Sequence, residues 1–111
     1  MEIKNVTVIG AGTMGNGIAQ VFAMHAFNVT LCDISNEALE RALKTIRTNL
    51  DRMVNKGLVS QENAELTVGR VSISTDTSRA VASADLVVEA ATENFELKKK
   101  IFSLIDKATH P

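Results

Sequence analysis

The chain is 111 residues long, with a hydrophobic fraction of 45%, a charged fraction of 23% and a formal net charge of −1. That length builds one domain with a substantial core but not two. The near-zero charge supplies no field for drawing in nucleic acid or an anionic membrane surface, and no apolar run approaches the ~20 residues that span a bilayer.

The N-terminus carries Glu2 and leads directly into Val6-Thr7-Val8-Ile9, so it does not read as a secretory signal. This short, nearly continuous apolar run suits a parallel strand covered on both faces. It runs into a glycine-rich turn, Gly10-Ala11-Gly12-Thr13-Met14-Gly15. Met14, Ile18, Val21 and Phe22 then recur at helical spacing and predict a first helix ending near His25. Ala26 takes the position just past that end, where the left-handed conformation favours glycine; adopting it costs alanine about 1 kcal/mol.

A second strand, Asn28-Val29-Thr30-Leu31-Cys32, delivers Asp33 at its C-terminal end. Ser35 is a suitable N-cap for the long amphipathic helix that follows. Leu39, Leu43, Ile46, Leu50 and Met53 form its apolar stripe, and Gly57 stops it after Lys56. Ser60 caps a shorter helix reaching about Leu66, so the two make a helical hairpin between the second and third strands. A simple crossover needs only one short helix, which gives the insertion a purpose beyond connecting.

Val71 to Ser74 alternates and reads as an outer strand; Ser78 to Ala82 makes a short helix at most. Leu86-Val87-Val88-Glu89-Ala90 is the fourth strand, and Leu97, Ile101, Leu104, Ile105 and Ala108 predict a last helix stopped at Pro111. Strands alternating with helices imply an α/β layer structure with right-handed crossovers. The expected fold is a Rossmann-type parallel sheet of order 3-2-1-4, forming one dinucleotide-binding domain over residues 1–111. Such folds normally continue past the fourth strand. The chain therefore reads as the first part of a larger protein, its fourth strand an open edge able to pair with another chain.

Cys32 is the single cysteine, which excludes an internal disulfide and is too few for a structural zinc site. At the end of an apolar strand it reads as a small buried hydrophobe, and a reducing cytoplasm fits it.

The glycine turn follows a strand, opens a helix and precedes an acid at the end of the second strand, which is the dinucleotide-binding context. Gly10 permits the tight turn, Gly12 lets the backbone approach a pyrophosphate, and Gly15 lets the helix pack closely on the strand. The helix N-terminus offers free N–H groups and the positive end of its dipole to the phosphates. A carboxylate at Asp33 accepts from ribose hydroxyls and repels a 2′-phosphate, and no arginine follows it, so NAD is favoured over NADP. Flavin enzymes use similar turns but more often carry glutamate at this position, which leaves FAD as the lesser alternative.

In the turn, in Gly17-Ile18-Ala19-Gln20, in the hairpin and in Asp85-Leu86-Val87-Val88-Glu89-Ala90-Ala91-Thr92-Glu93-Asn94, the chain resembles the 3-hydroxyacyl-CoA dehydrogenase family, its 3-hydroxybutyryl-CoA branch included. The resemblance runs from about Lys4 to the end, with Ala26 replacing a common glycine. It implies that Ala90 and Ala91 are the small residues beneath the cofactor and that Glu93 and Lys98 contact NAD; alone, these two would read as a helix-start acid and a solvated lysine. It further implies that the hairpin contacts coenzyme A through Lys56 and through Asn49, which stands where a hydroxyl residue is expected. The basic residues of the long helix, Arg41, Lys44, Arg47, Arg52 and Lys56, read otherwise as a solvated face, with Glu37 and Glu40 four residues before Arg41 and Lys44.

The resemblance places the catalytic histidine, its orienting glutamate and the nearby serine and asparagine beyond a fifth strand. His25 and His110 match neither role, so no residue of this chain is assigned to catalysis. The implied reaction is the interconversion of (3S)-3-hydroxyacyl-CoA and 3-oxoacyl-CoA with NAD, in a homodimer closed by a C-terminal helical domain. The alternatives are a stand-alone NAD-binding module without turnover, and part of a dehydrogenase acting on free hydroxy acids.

Overall fold

Apolar runs too short for helices become the strands of a parallel sheet in the computed structural model, which describes residues 3–90. The elements are β1 (Asn5–Ile9), α1 (Thr13–Met24), β2 (Asn28–Cys32), α2 (Asn36–Asn55), α3 (Gln61–Gly69), β3 (Val71–Ser74), α4 (Thr77–Ala82) and β4 (Leu86–Glu89). The strand order is β3-β2-β1-β4, all pairs parallel, as the sequence predicts. Val8 of β1 is in register with Leu31 on one side and Val88 on the other. The predicted helix from Leu97 to Ala108 lies outside the described residues.

Alternation along the central strands sends successive side chains to opposite faces. Val6, Val8, Val29 and Leu31 join Ile18 and Phe22 of α1 and Leu39, Ile46 and Leu50 of α2 in one core, each no more than 4% exposed. Between Val6 and Val8, Thr7 is also buried, and its hydroxyl donates to the carbonyl of Ala80 in α4 at 2.9 Å. That bond satisfies a polar group that burial would otherwise penalise by about 1–3 kcal/mol. At the other end of the strands, Asp85 accepts from the N–H groups of Lys4 and Asn5, both at 2.9 Å. These bonds hold the Asp85 carboxyl below its ordinary pKa and fix the entry of β1 beside β4.

Both serine caps form as predicted: Ser35 Oγ accepts from Ala38 N–H, and Ser60 Oγ accepts from Asn63 N–H. α3 runs three residues beyond the predicted end at Leu66. Thr67, Val68 and Gly69 are weak helix formers, but Thr67 is buried and its hydroxyl donates to Asn63 O at 2.8 Å. Packing overrides propensity there. β4 ends one residue before the predicted Ala90, although Ala90 N–H still donates to Ile9 O at 2.8 Å.

The helix ends follow a common rule. At the end of α2, Gly57 has φ +74°; its N–H donates to Val54 O, and Leu58 N–H donates to Met53 O. These are the paired bonds of a Schellman motif. At the end of α1, Ala26 N–H donates to Ala23 O and Phe27 N–H to Phe22 O, with Ala26 at φ +70°. Ala26 therefore takes the left-handed conformation expected of it.

Candidate dinucleotide site

The turn between β1 and α1 is built around two glycines that the fold itself requires. Gly10 has φ +104°, a conformation that L side chains rarely adopt, and its N–H donates to Cys32 O at 2.8 Å. At Gly15 a Cβ would overlap the carbonyl oxygen of Gly10 and come within 2.8 Å of its carbon. The same Cβ would lie 3.7 Å from the Cβ of buried Ala90. Only a glycine lets α1 descend onto the C-terminal ends of β1 and β4 at this distance.

Gly12 differs. It is the N-cap of α1 at φ −71° and ψ −170°, extended backbone open to any residue, and a Cβ there meets nothing within 4 Å. Neither conformation nor packing among the described residues calls for glycine. What glycine leaves is open space directly over the start of α1. No side chain caps this helix, and no acid lies in its first turn. Asn16 N–H is the first to donate back, to Gly12 O at 2.9 Å. The N–H groups before it have no partner within the helix, so the turn offers donors and a positive dipole end to an anion.

Asp33 follows β2 and closes the rim beside the turn. One carboxylate oxygen accepts from Ala11 N–H at 2.9 Å, the other from Ser35 N–H at 3.0 Å. The Ala11 bond, followed by the Ser35 bond, holds the Asp33 carboxyl below its ordinary pKa, so it remains a carboxylate well into the acid range. The residues present fit a dinucleotide: room above a bare helix N-terminus for a pyrophosphate, and a charged acceptor bonded to the adjoining turn for ribose hydroxyls.

In the hairpin, Asn49 is partly buried, and its amide donates to Gln20 Oε1 of α1 at 3.1 Å. Lys56 is the exposed C-cap of α2, its N–H donating to Arg52 O. Of the two predicted coenzyme A contacts, one is thus engaged with α1 and the other lies exposed two turns on, at the end of α2. Ala91, Glu93 and Lys98 lie outside the described residues, as does His110. His25 is exposed, its Nδ1 2.8 Å from Val21 O at the end of α1, far along the helix from the turn. Cys32 is fully buried; desolvation, then the nearby charge of Asp76, raises its thiol pKa, as expected of an inert core cysteine. Among the described residues no group of acids, histidines and cysteine could hold a metal ion, and no helix is long and apolar enough to cross a membrane.

Residues 5–111 match the family described as the NAD-binding domain of 3-hydroxyacyl-CoA dehydrogenase. The chain belongs to this family. It is 44% identical, over its whole length, to the 3-hydroxyadipyl-CoA dehydrogenase of Escherichia coli, covering 23% of that protein. It is also 44% identical to the mitochondrial hydroxyacyl-coenzyme A dehydrogenase of Rattus norvegicus, covering 95% of this chain and 35% of the relative. The crystal structure of a 3-hydroxybutyryl-CoA dehydrogenase from E. coli K12 superposes with a TM-score of 0.80 at 44% identity, over 97% of this chain and 23% of that one. The chain thus spans between about a quarter and just over a third of the relatives it matches. NAD is the cofactor of this domain family.

For an NAD-binding domain two features of the site escaped sequence reasoning. The first is the Ala11–Asp33 bond, between residues 22 positions apart. The second is Ile34, 94% exposed immediately after Asp33. Its signal was a lone apolar residue between the strand-end acid and the Ser35 cap, where neither the strand nor the helix has use for it.

Proposed function

We propose that this chain is the cofactor-binding part of a dehydrogenase that interconverts (3S)-3-hydroxyacyl-CoA and 3-oxoacyl-CoA with NAD. The observation that carries the reading is Gly12: open space kept by a glycine the fold does not need, over an uncapped helix end and beside an ionised Asp33. In this reading Gly10, Ala11, Gly12, Thr13, Met14 and Gly15 form the pyrophosphate cradle and Asp33 binds the adenosine ribose. The exposed Ile34 offers an apolar wall to the adenine. Ala90 and Ala91 underlie the dinucleotide, and Glu93 and Lys98 contact it beyond β4.

NAD supplies the hydride acceptor when bound; this chain's own work is to hold and orient it. The proton abstraction that must accompany hydride transfer needs a base, which the reading assigns to residues outside this domain. Asn49 and Lys56 of the hairpin contact coenzyme A, the lysine as a point charge for phosphate. The rest of the nucleotide domain and a helical dimerisation domain complete the enzyme, a homodimer of the cytoplasm acting in fatty acid metabolism. The outer edge of β4 is where further structure or a second chain adds to the sheet.

Calorimetric titration tests the cofactor assignment. NAD is expected to bind at least about tenfold tighter than NADP, a difference of about 1.4 kcal/mol; comparable or tighter binding of NADP would remove the role given to Asp33. For the hairpin, Lys56→Glu in the complete dehydrogenase should raise KM for the acyl-CoA about three- to tenfold and leave KM for NAD unchanged. An unchanged acyl-CoA KM would leave the hairpin without a substrate role.

A further inference from the structure

Ala11 is buried at 7% exposure, and the partner its N–H finds is the Asp33 carboxylate at 2.9 Å, in a part-buried bond. The second oxygen of the same carboxylate holds Ser35 N–H at 3.0 Å, and Ser35 in turn caps α2 through its hydroxyl at 3.2 Å from Ala38 N. A second tie runs parallel to the first, from Gly10 N–H to Cys32 O at 2.8 Å. The turn before α1 is thus fastened to the end of β2 by one backbone bond and one charge-assisted side-chain bond.

We infer that Asp33 is a positioning residue for the glycine turn, holding it in its binding geometry before the cofactor arrives, in addition to any contact with ribose. The inference rests on the dinucleotide reading above and deepens it. An ionised carboxylate has about four acceptor sites on its two oxygens. Bonds to Ala11 and Ser35 use two and a weaker one from Ile34 N–H a third, so a site remains for a ribose hydroxyl and the latch need not open on binding. Without the carboxylate, a part-buried N–H loses its partner, and the turn must either move to find water or remain unsatisfied. Either way the ordering of the turn is deferred to the moment of binding, which weakens affinity. The short aspartate side chain reaches Ser35, two residues on, while facing the turn.

A ligand without ribose hydroxyls separates this role from direct contact. 2′,3′-Dideoxy-ADP keeps the diphosphate and the base but gives Asp33 nothing to bind. If Asp33 acts through ribose alone, Asp33→Ala binds this ligand equally well or tighter, because a negative charge near the diphosphate has been removed. If Asp33 holds the turn, Asp33→Ala binds it about tenfold more weakly despite the lost repulsion, and Asp33→Asn, which keeps one acceptor oxygen, recovers part of that loss. Equal or tighter binding by Asp33→Ala overturns the inference.

Amide hydrogen exchange in the ligand-free chain gives an independent readout. The Ala11 amide is expected to be protected in the wild type and at least about tenfold faster in Asp33→Ala, with the amides of β1 unchanged. An Ala11 amide that exchanges equally fast in both proteins also overturns it. Failure of the dinucleotide reading would look different: the wild type would bind neither ADP nor NAD while its Ala11 amide stayed protected.

Discussion

The two ends of α1 are finished in opposite ways. At its C-terminus several devices are combined. Ala26 and Phe27 close the two Schellman bonds, and His25 Nδ1 lies 2.8 Å from Val21 O. Arg70 reaches from beyond α3 to donate to Ala23 O at 2.9 Å. Phe27 then packs edge-on against Phe22 with ring centroids 5.3 Å apart, the apolar contact that accompanies this cap. At its N-terminus no side chain caps the helix and no acid meets the dipole. Yet Ser35, Ser60 and Asp76 cap the other three helices of the described chain. Among the described residues, a fold that caps its other helices with side chains leaves one helix start bare where two strands end. That asymmetry separates the end that serves the structure from the end that serves a ligand.

The sharpest way to break the comparison is within the turn itself, where two glycines three residues apart should fail differently. Gly15→Ala sets a methyl group against the Gly10 carbonyl, a backbone atom that cannot swing away. The helix must lift from β1 and β4, at a cost of about 3 kcal/mol or more. Urea denaturation should show the loss, with cofactor binding lost along with the fold.

Gly12→Ala should do the reverse. Its backbone suits alanine and its Cβ enters open space, so stability should fall by no more than about 1 kcal/mol, the ordinary difference between these residues at an N-cap. NAD affinity should fall by about tenfold or more, because the methyl takes up the space over the helix end that the pyrophosphate needs. Calorimetry and a denaturation curve on the same sample decide it. If Gly12→Ala binds NAD as the wild type does, the bare end of α1 is not the phosphate site.

How much of this could be read from the sequence follows the same division. β1 and β4 were legible as short, nearly continuous apolar runs, although only Val88 of β4 is buried, and β2 from its alternating Val29 and Leu31; α2 was legible from its stripe and from Ser35 and Gly57 at its ends. The roles of Gly10 and Gly15 were legible because they are local: one is a turn conformation, the other a contact five residues back along the chain. The full length of α3 was not legible, since Thr67 and Val68 argue against a helix until the core they face is known. Asp33 was legible as a charge at a strand end but not as a latch, because its partner Ala11 lies in a different connection of the fold. Asn49 likewise gave no sign that Gln20 would hold its amide. Interactions that join separate crossovers have no local signature in the chain.

At the C-terminal end the comparison yields its smallest effect, and one of opposite sign. Ala26 and Gly57 occupy the same position of the same motif, at φ +70° and +74°, with the same pair of backbone bonds. Only Gly57 adopts that conformation without opposition from a Cβ. Ala26→Gly should therefore stabilise the folded chain, by relief of about 1 kcal/mol of left-handed strain, less the greater chain entropy that glycine adds to the unfolded state. The net gain expected is about 0.5 kcal/mol, read as a higher urea midpoint with an unchanged slope. Ala26 is exposed, so no packing is lost to offset it. NAD affinity should not change, since the altered residue lies past the far end of α1 from the turn. A stabilised variant with altered NAD binding would mean that the two ends of the helix are coupled, and that the division between a structural end and a ligand end is too simple.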